Sequence, residues 1–98
     1  MGEETKKKAK EKLGTTTIKV GYPDEWKDYS DLEIVNVENG GSFFQNMMNS
    51  SKWRVADNMA DLGQPVDKSE WFMPPQTVNA YYNPSYNEIV FPAAILQP

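Results

Sequence analysis

Between Asn39 and Pro65 the sequence carries the start signal, periodic body and stop signal of one long helix, and that element constrains the fold more than any other. Asn39, Gly40 and Gly41 form a flexible lead-in, Ser42 stands as an N-cap, and Gln45 follows three residues later. At that spacing the hydroxyl accepts from a first-turn N–H and the amide side chain reaches back, so each satisfies a donor the helix leaves orphaned. A helix is therefore predicted to start at Phe43. Phe44, Met48, Val55, Met59 and Leu62 recur at helical spacing, and Gly63 and Pro65 end the run, giving about 20 residues and roughly 30 Å of amphipathic helix. Phe43, Met47 and Trp53 widen the apolar face. Met and aromatic side chains at this spacing suit a ligand groove as well as a core; core packing is the expectation.

A chain of 98 residues is one domain's worth, able to bury one modest core and not two. Hydrophobic residues make up 39%, including three Trp, five Tyr and four Phe, too many large apolar groups for a disordered chain. The net charge of −4 disfavours a general affinity for nucleic acid or anionic lipid, both of which need basic, counterion-releasing surfaces. Cysteine and histidine are both absent, which removes disulfides, thiol catalysis and the commonest zinc ligands. No apolar run approaches the roughly 20 residues of a membrane span, and the first twelve residues are too charged for a signal peptide. No membrane contact is expected of this segment.

The chain reads as a single fragment, 1–98, in four pieces. Residues 1–14 look like the end of a helix: Glu3 and Glu4 precede five lysines, the polarity that suits a helix dipole, and Gly14 is a stop. With acids interleaved and only Ala9 and Leu13 apolar, this is a solvated helix face rather than a basic patch. Residues 15–41 form a strand and turn region, in which β-branched residues alternate around Lys19 before Gly21 and Pro23 end the strand. Trp26 and Tyr29 are placed to share one side of a short helical turn after Pro23. Residues 42–63 are the long helix, and 64–98 a hairpin region.

In that last piece Thr77 to Tyr82 alternate, Asn83 to Asn87 is turn-like, and Glu88 to Phe91 returns as a strand, the pattern of an antiparallel hairpin. "IVFPAAIL" is almost continuously apolar, so it should be covered on both faces, and Pro92 limits its pairing. The fold class is α+β: an N-terminal helix, a long central helix and a small antiparallel sheet with a C-terminal hairpin, which the Thr16 to Val20 strand is placed to join. Asn79 is the one polar amide between Val78 and Ala80. By residue type alone, an Asn beside a turn is more readily explained by local backbone hydrogen bonding than by ligand binding.

The run "PVDKSEWFMPPQTVNAYYNPSYNEIVFPAAILQP" closely resembles the segment ahead of the zinc-binding helix in the neprilysin and endothelin-converting enzyme family of metallopeptidases, including the bacterial oligopeptidase O type, and "KEKLGTTTIKVGYPDEWKDYSDLEI" resembles the stretch before it. The resemblance covers the chain from about Lys10 onward. It implies a partial domain of a larger zinc endopeptidase, with oligopeptide substrates and the remainder of the catalytic domain as partners. It also implies that the HExxH motif and a further glutamate ligand lie beyond Pro98. Zinc would then be the parent's cofactor, with none bound by this fragment and no catalytic residue within it. The matching "NA" pair of the family holds the substrate backbone, which carries over to Asn79 through its side chain and Ala80 through its main chain. An unpaired strand edge accepts an extended peptide through main-chain bonds, and an Asn side chain both donates and accepts, so the chemistry agrees. Tyr81 is added as a substrate contact because the alternation puts it on the Asn79 side.

Glu88, Asp67 and Glu70 are read as solvated acids flanking turns, not as a catalytic carboxylate pair. Two functions of different classes remain: an inactive substrate-cleft fragment of a zinc metalloendopeptidase, and a stand-alone module that captures peptides or other ligands at the hairpin edge without hydrolysis.

Overall fold

The computed structural model describes residues 1–98. The chain divides into two units, Met1–Glu25 with Lys68–Pro98, and Trp26–Asp67.

The first unit opens with helix α1, Glu3–Thr15, whose acids lie in the first turn and Lys12 in the last. Surface pairs Lys6–Glu3 and Lys8–Glu11 run along it at 3.1 and 3.0 Å, and every residue of it is exposed. The hydroxyls of Thr15 and Thr16 both donate to the Lys12 carbonyl at 2.9 Å, turning the chain into strand β1, Thr17–Gly21. Two further strands, β2 at Tyr81–Asn83 and β3 at Glu88–Pro92, complete a three-stranded sheet in the order β1-β3-β2.

This is the expected α+β class, with one correction: the sheet is mixed. Strands β2 and β3 pair antiparallel, as a hairpin must, whereas β1 runs parallel to β3 with Thr17 opposite Glu88 and Gly21 opposite Pro92. Pro92, last in its strand, sits where a missing N–H costs little. The hairpin turn is Pro84–Asn87. The Asn83 side chain accepts from the Ser85 N–H at 3.1 Å, and Asn87 takes the left-handed conformation with φ 47°, as Asn tolerates better than most residues. Asn87 also ties the turn to the start of β1: its carbonyl accepts from the Thr17 N–H at 2.9 Å and its side-chain oxygen from the Thr16 hydroxyl at 3.2 Å.

Glu88, Val90 and Pro92 on one face of β3 are fully buried, while Ile89 and Phe91 on the other are half-exposed. Coverage of this apolar strand within the chain is thus complete on one face and partial on the other. Val90 and Pro92 are the fully enclosed apolar side chains.

In the second unit, α2 spans Phe43–Ala60 and begins where the cap places it, with the Ser42 hydroxyl accepting from the Gln45 N–H at 3.1 Å. The Gln45 side chain does not reach back. It donates forward to Asn49 at 2.8 Å, so only half of the capping box forms. Asn46 grips Val35 with both ends of its amide, accepting from the N–H at 3.0 Å and donating to the C=O at 2.8 Å. Asn49 donates to the Glu33 carbonyl at 3.1 Å, and Trp53 meets Tyr29 with ring centroids 4.9 Å apart. No helical turn joins Trp26 to Tyr29; the Tyr29 ring packs on Trp53 instead. The core packing expected of the apolar stripe is not made within the chain. Asn46, Asn49, Ser50 and Trp53 form the shielded face, while Phe44, Val55, Met59 and Leu62 are more than half exposed.

Candidate functional site

Residues Thr77 to Ala80 are not the strand that their alternation predicts. Pro74 and Pro75 precede them, the Thr77 N–H donates to the Pro74 carbonyl at 3.1 Å, and the Asn79 N–H donates to the Thr77 carbonyl at 2.9 Å. These local bonds take up donors a strand ladder would use, so the segment bends and β2 starts only at Tyr81. Ala94 N–H donates to the Pro75 carbonyl at 2.9 Å and fastens the bend to the residues after β3. The Asn79–Ala80 pair therefore lies immediately ahead of a sheet strand rather than inside it.

Because β3 is central, the far side of β2 is a sheet edge to which no strand of this chain is paired. Asn79 is exposed beside that edge, and its side-chain oxygen accepts from the Ala80 N–H at 2.8 Å. The two groups expected to hold a peptide thus hold each other, at an exposed residue. Tyr81 differs from both. It is half-buried, its hydroxyl accepts from the Phe72 N–H at 2.9 Å, and its ring meets Phe72 edge-on at 6.3 Å between centroids. Burial pushes the Tyr81 phenol above its usual range, the bond from Phe72 opposes this, and the negative charges of Glu88 and Glu70 add to the rise.

Sequence reasoning missed Glu88. Read as a solvated turn acid, it is 1% exposed and pairs with Lys19 of β1 at 2.6 Å, while the Lys19 ammonium also donates to the Glu70 carbonyl at 3.0 Å. The other carboxylate oxygen of Glu88 is buried without a partner. The available signal was one charge in each of two strands that carry no other, since an ion buried in such a position needs a counter-ion. As for metal, the chain has no His or Cys, and no three side chains of the ligating types come together. Its own residues do not fit a zinc site. No helix is long and apolar enough to cross a membrane.

No protein-family profile matches the chain. An endothelin-converting enzyme homologue from Locusta migratoria is 41% identical over 104 residues, which cover 99% of this chain and 14% of the relative. Human endothelin-converting enzyme-like 1 is 41% identical, covering all of this chain and 13% of the relative. Among solved structures, the Mycobacterium tuberculosis zinc metalloprotease Zmp1 superposes on the whole chain with a TM-score of 0.86 and 50% identity, over 14% of its own length. Along its whole length the chain is similar to one segment of the endothelin-converting enzyme, neprilysin and bacterial zinc metalloprotease proteins. The resemblance carried by "VNAYYNP" and "NEIVFPAAILQP" thus holds across sequence and fold. The chain spans about one seventh of the length of the proteins it matches.

Proposed function

We propose that this chain supplies the substrate-binding edge of a zinc metalloendopeptidase that hydrolyses oligopeptides. The exposed Asn79 carboxamide, lying beside the unpaired edge of β2, is the observation that carries the reading. An extended peptide aligned there receives a donor from the Asn79 side chain. Exchanging the Asn79–Ala80 bond for bonds to substrate turns the Ala80 N–H outward as a second donor. Main-chain recognition of this kind tolerates many side chains, and its purpose is orientation. Tyr81 opens β2 directly after this pair, its hydroxyl and ring engaged with Phe72. Zinc belongs to the longer enzyme; the residues of this chain bind and align, and the 98-residue chain alone is inactive.

The test is steady-state peptide hydrolysis by the full-length enzyme carrying Asn79→Ala, with the isolated chain as a null control. Loss of the Asn79 side-chain hydrogen bond, at about 1 kcal/mol, lowers kcat/KM roughly fivefold, since the Ala80 N–H survives the substitution. A kcat/KM within about twofold of wild type would remove Asn79 from the binding edge.

A further inference from the structure

We infer that Lys19 and Glu88 are positioning residues for the peptide-binding edge, acting on it through Glu70, Phe72 and Tyr81; the inference rests on the role proposed above for Asn79. A continuous path connects them. The Glu88 carboxylate on β3 holds the Lys19 ammonium at 2.6 Å, and the same ammonium donates to the Glu70 carbonyl at 3.0 Å. Two residues further on, the Phe72 N–H donates at 2.9 Å to the hydroxyl of Tyr81, the residue that opens β2 directly after Asn79 and Ala80. The charges of Glu88 and Glu70 both act on the Tyr81 phenol, so the two ends of the path lie close together.

A stabilising role does not account for this pair. Burying two charges costs desolvation that their attraction barely recovers, and well-packed apolar residues of similar volume commonly serve stability as well or better. Glu88 even keeps one carboxylate oxygen buried without a partner. What an apolar pair cannot do is hold a main-chain carbonyl. An ammonium has three donors, and here it fixes Glu70 relative to the central strand while its own position is set by Glu88. Only Trp71 separates Glu70 from Phe72, whose amide is the one that donates to Tyr81. The ion pair thus sets where β2 begins, and with it the direction in which the Asn79 carboxamide points.

The experiment uses the full-length enzyme and one peptide substrate, with kcat and KM measured separately. Lys19→Met with Glu88→Leu removes both charges while keeping apolar volume. The melting temperature is expected to hold, KM to rise about fivefold, and kcat to stay within about twofold. Tyr81→Phe, which loses one hydroxyl and no packing, interrupts the same path further along and is expected to raise KM by a similar factor. Combining all three substitutions should add nothing beyond either alone, because both interrupt one path. An unchanged KM in Tyr81→Phe overturns the inference even if the double variant fails to fold, and so do multiplicative KM effects, which would mark Tyr81 as an independent substrate contact. A double variant whose KM is unchanged, or whose activity loss lies wholly in kcat in step with lost folded protein, marks the pair as merely structural. Asn79→Ala in the same assay separates the two readings. If it raises KM while Lys19→Met/Glu88→Leu does not, only the positioning role fails; if it too leaves KM unchanged, the edge is not the binding site and both fall.

Discussion

Gly41→Ala should be among the most damaging single-atom-group additions in the second unit, and the structure supplies its magnitude. A Cβ built on Gly41 lies 1.9 Å from the Val35 carbonyl oxygen, 2.5 Å from its carbon and 2.8 Å from the Asn36 oxygen, all main-chain atoms with no rotamer to change. Ordinary contact begins at 3.4 Å, so the Val35 carbonyl must retreat by roughly 1.5 Å, more than a hydrogen bond tolerates. That carbonyl is the one Asn46 grips at 2.8 Å, with the Val35 N–H held at 3.0 Å by the same amide, while Gly41 itself donates to Asn36 at 2.9 Å. Losing two or three such bonds at about 1 kcal/mol each, plus residual strain, gives about 2–4 kcal/mol. Native-state hydrogen exchange of the Val35 and Gly41 amides reads this directly as about 30- to 1,000-fold faster exchange. Gly40→Ala is the internal comparison. Nothing lies within 4 Å of its Cβ, and only its φ of 85° opposes the substitution, at about 1–2 kcal/mol. If Gly41→Ala proves no worse than Gly40→Ala, or if the two amides exchange at unchanged rates, the steric reasoning is wrong.

Two further outcomes are expected. The Tyr81 phenol is raised above 10.0 in the folded chain, mainly by burial, so the fold binds its proton more tightly than the unfolded chain does. Its contribution is complete below about pH 10 and is lost as pH climbs from there through the raised folded value; urea midpoints measured across that range should fall less steeply in Tyr81→Phe. The outward stripe of α2 leaves Phe44 73% and Val55 58% exposed, so the 98-residue chain alone should bind a hydrophobic dye. Phe44→Lys with Val55→Glu should reduce that fluorescence by roughly half while far-UV circular dichroism keeps its helical signal.

What was legible in the sequence follows the range of the forces involved. The start of α2 was readable because an N-cap is decided within four residues, and Ser42 makes the expected bond. The partner of Gln45 was not, since the neighbouring Asn49 competes for its amide. The apolar periodicity of α2 identifies a face that avoids water but not which surface covers it; within this chain the helix is held by Asn46, Asn49 and Trp53 from the opposite side. The hairpin was legible from its turn residues, whereas the direction of β1 was not, because alternation is the same whether a strand runs up or down. Glu88 looked like a turn acid since its counter-ion lies on a distant strand. The bend over Thr77–Ala80 escaped because the two prolines ahead of it outweigh a short alternating pattern. Asn79 and Ala80 came from family resemblance, as no local rule distinguishes a binding amide from a structural one.

The parallel register of β1 on β3 has a consequence for the order of events in the cell. Thr17 cannot meet Glu88 until the ribosome has released nearly everything between them, and joining such remote partners is entropically slow. The hairpin can close by itself as soon as it emerges. Until it does, the early strand waits with its edge open and its Lys19 in water, and α2 has time to wind first. Within these residues assembly therefore runs against the direction of synthesis: the later hairpin becomes the template on which the earlier strand is laid.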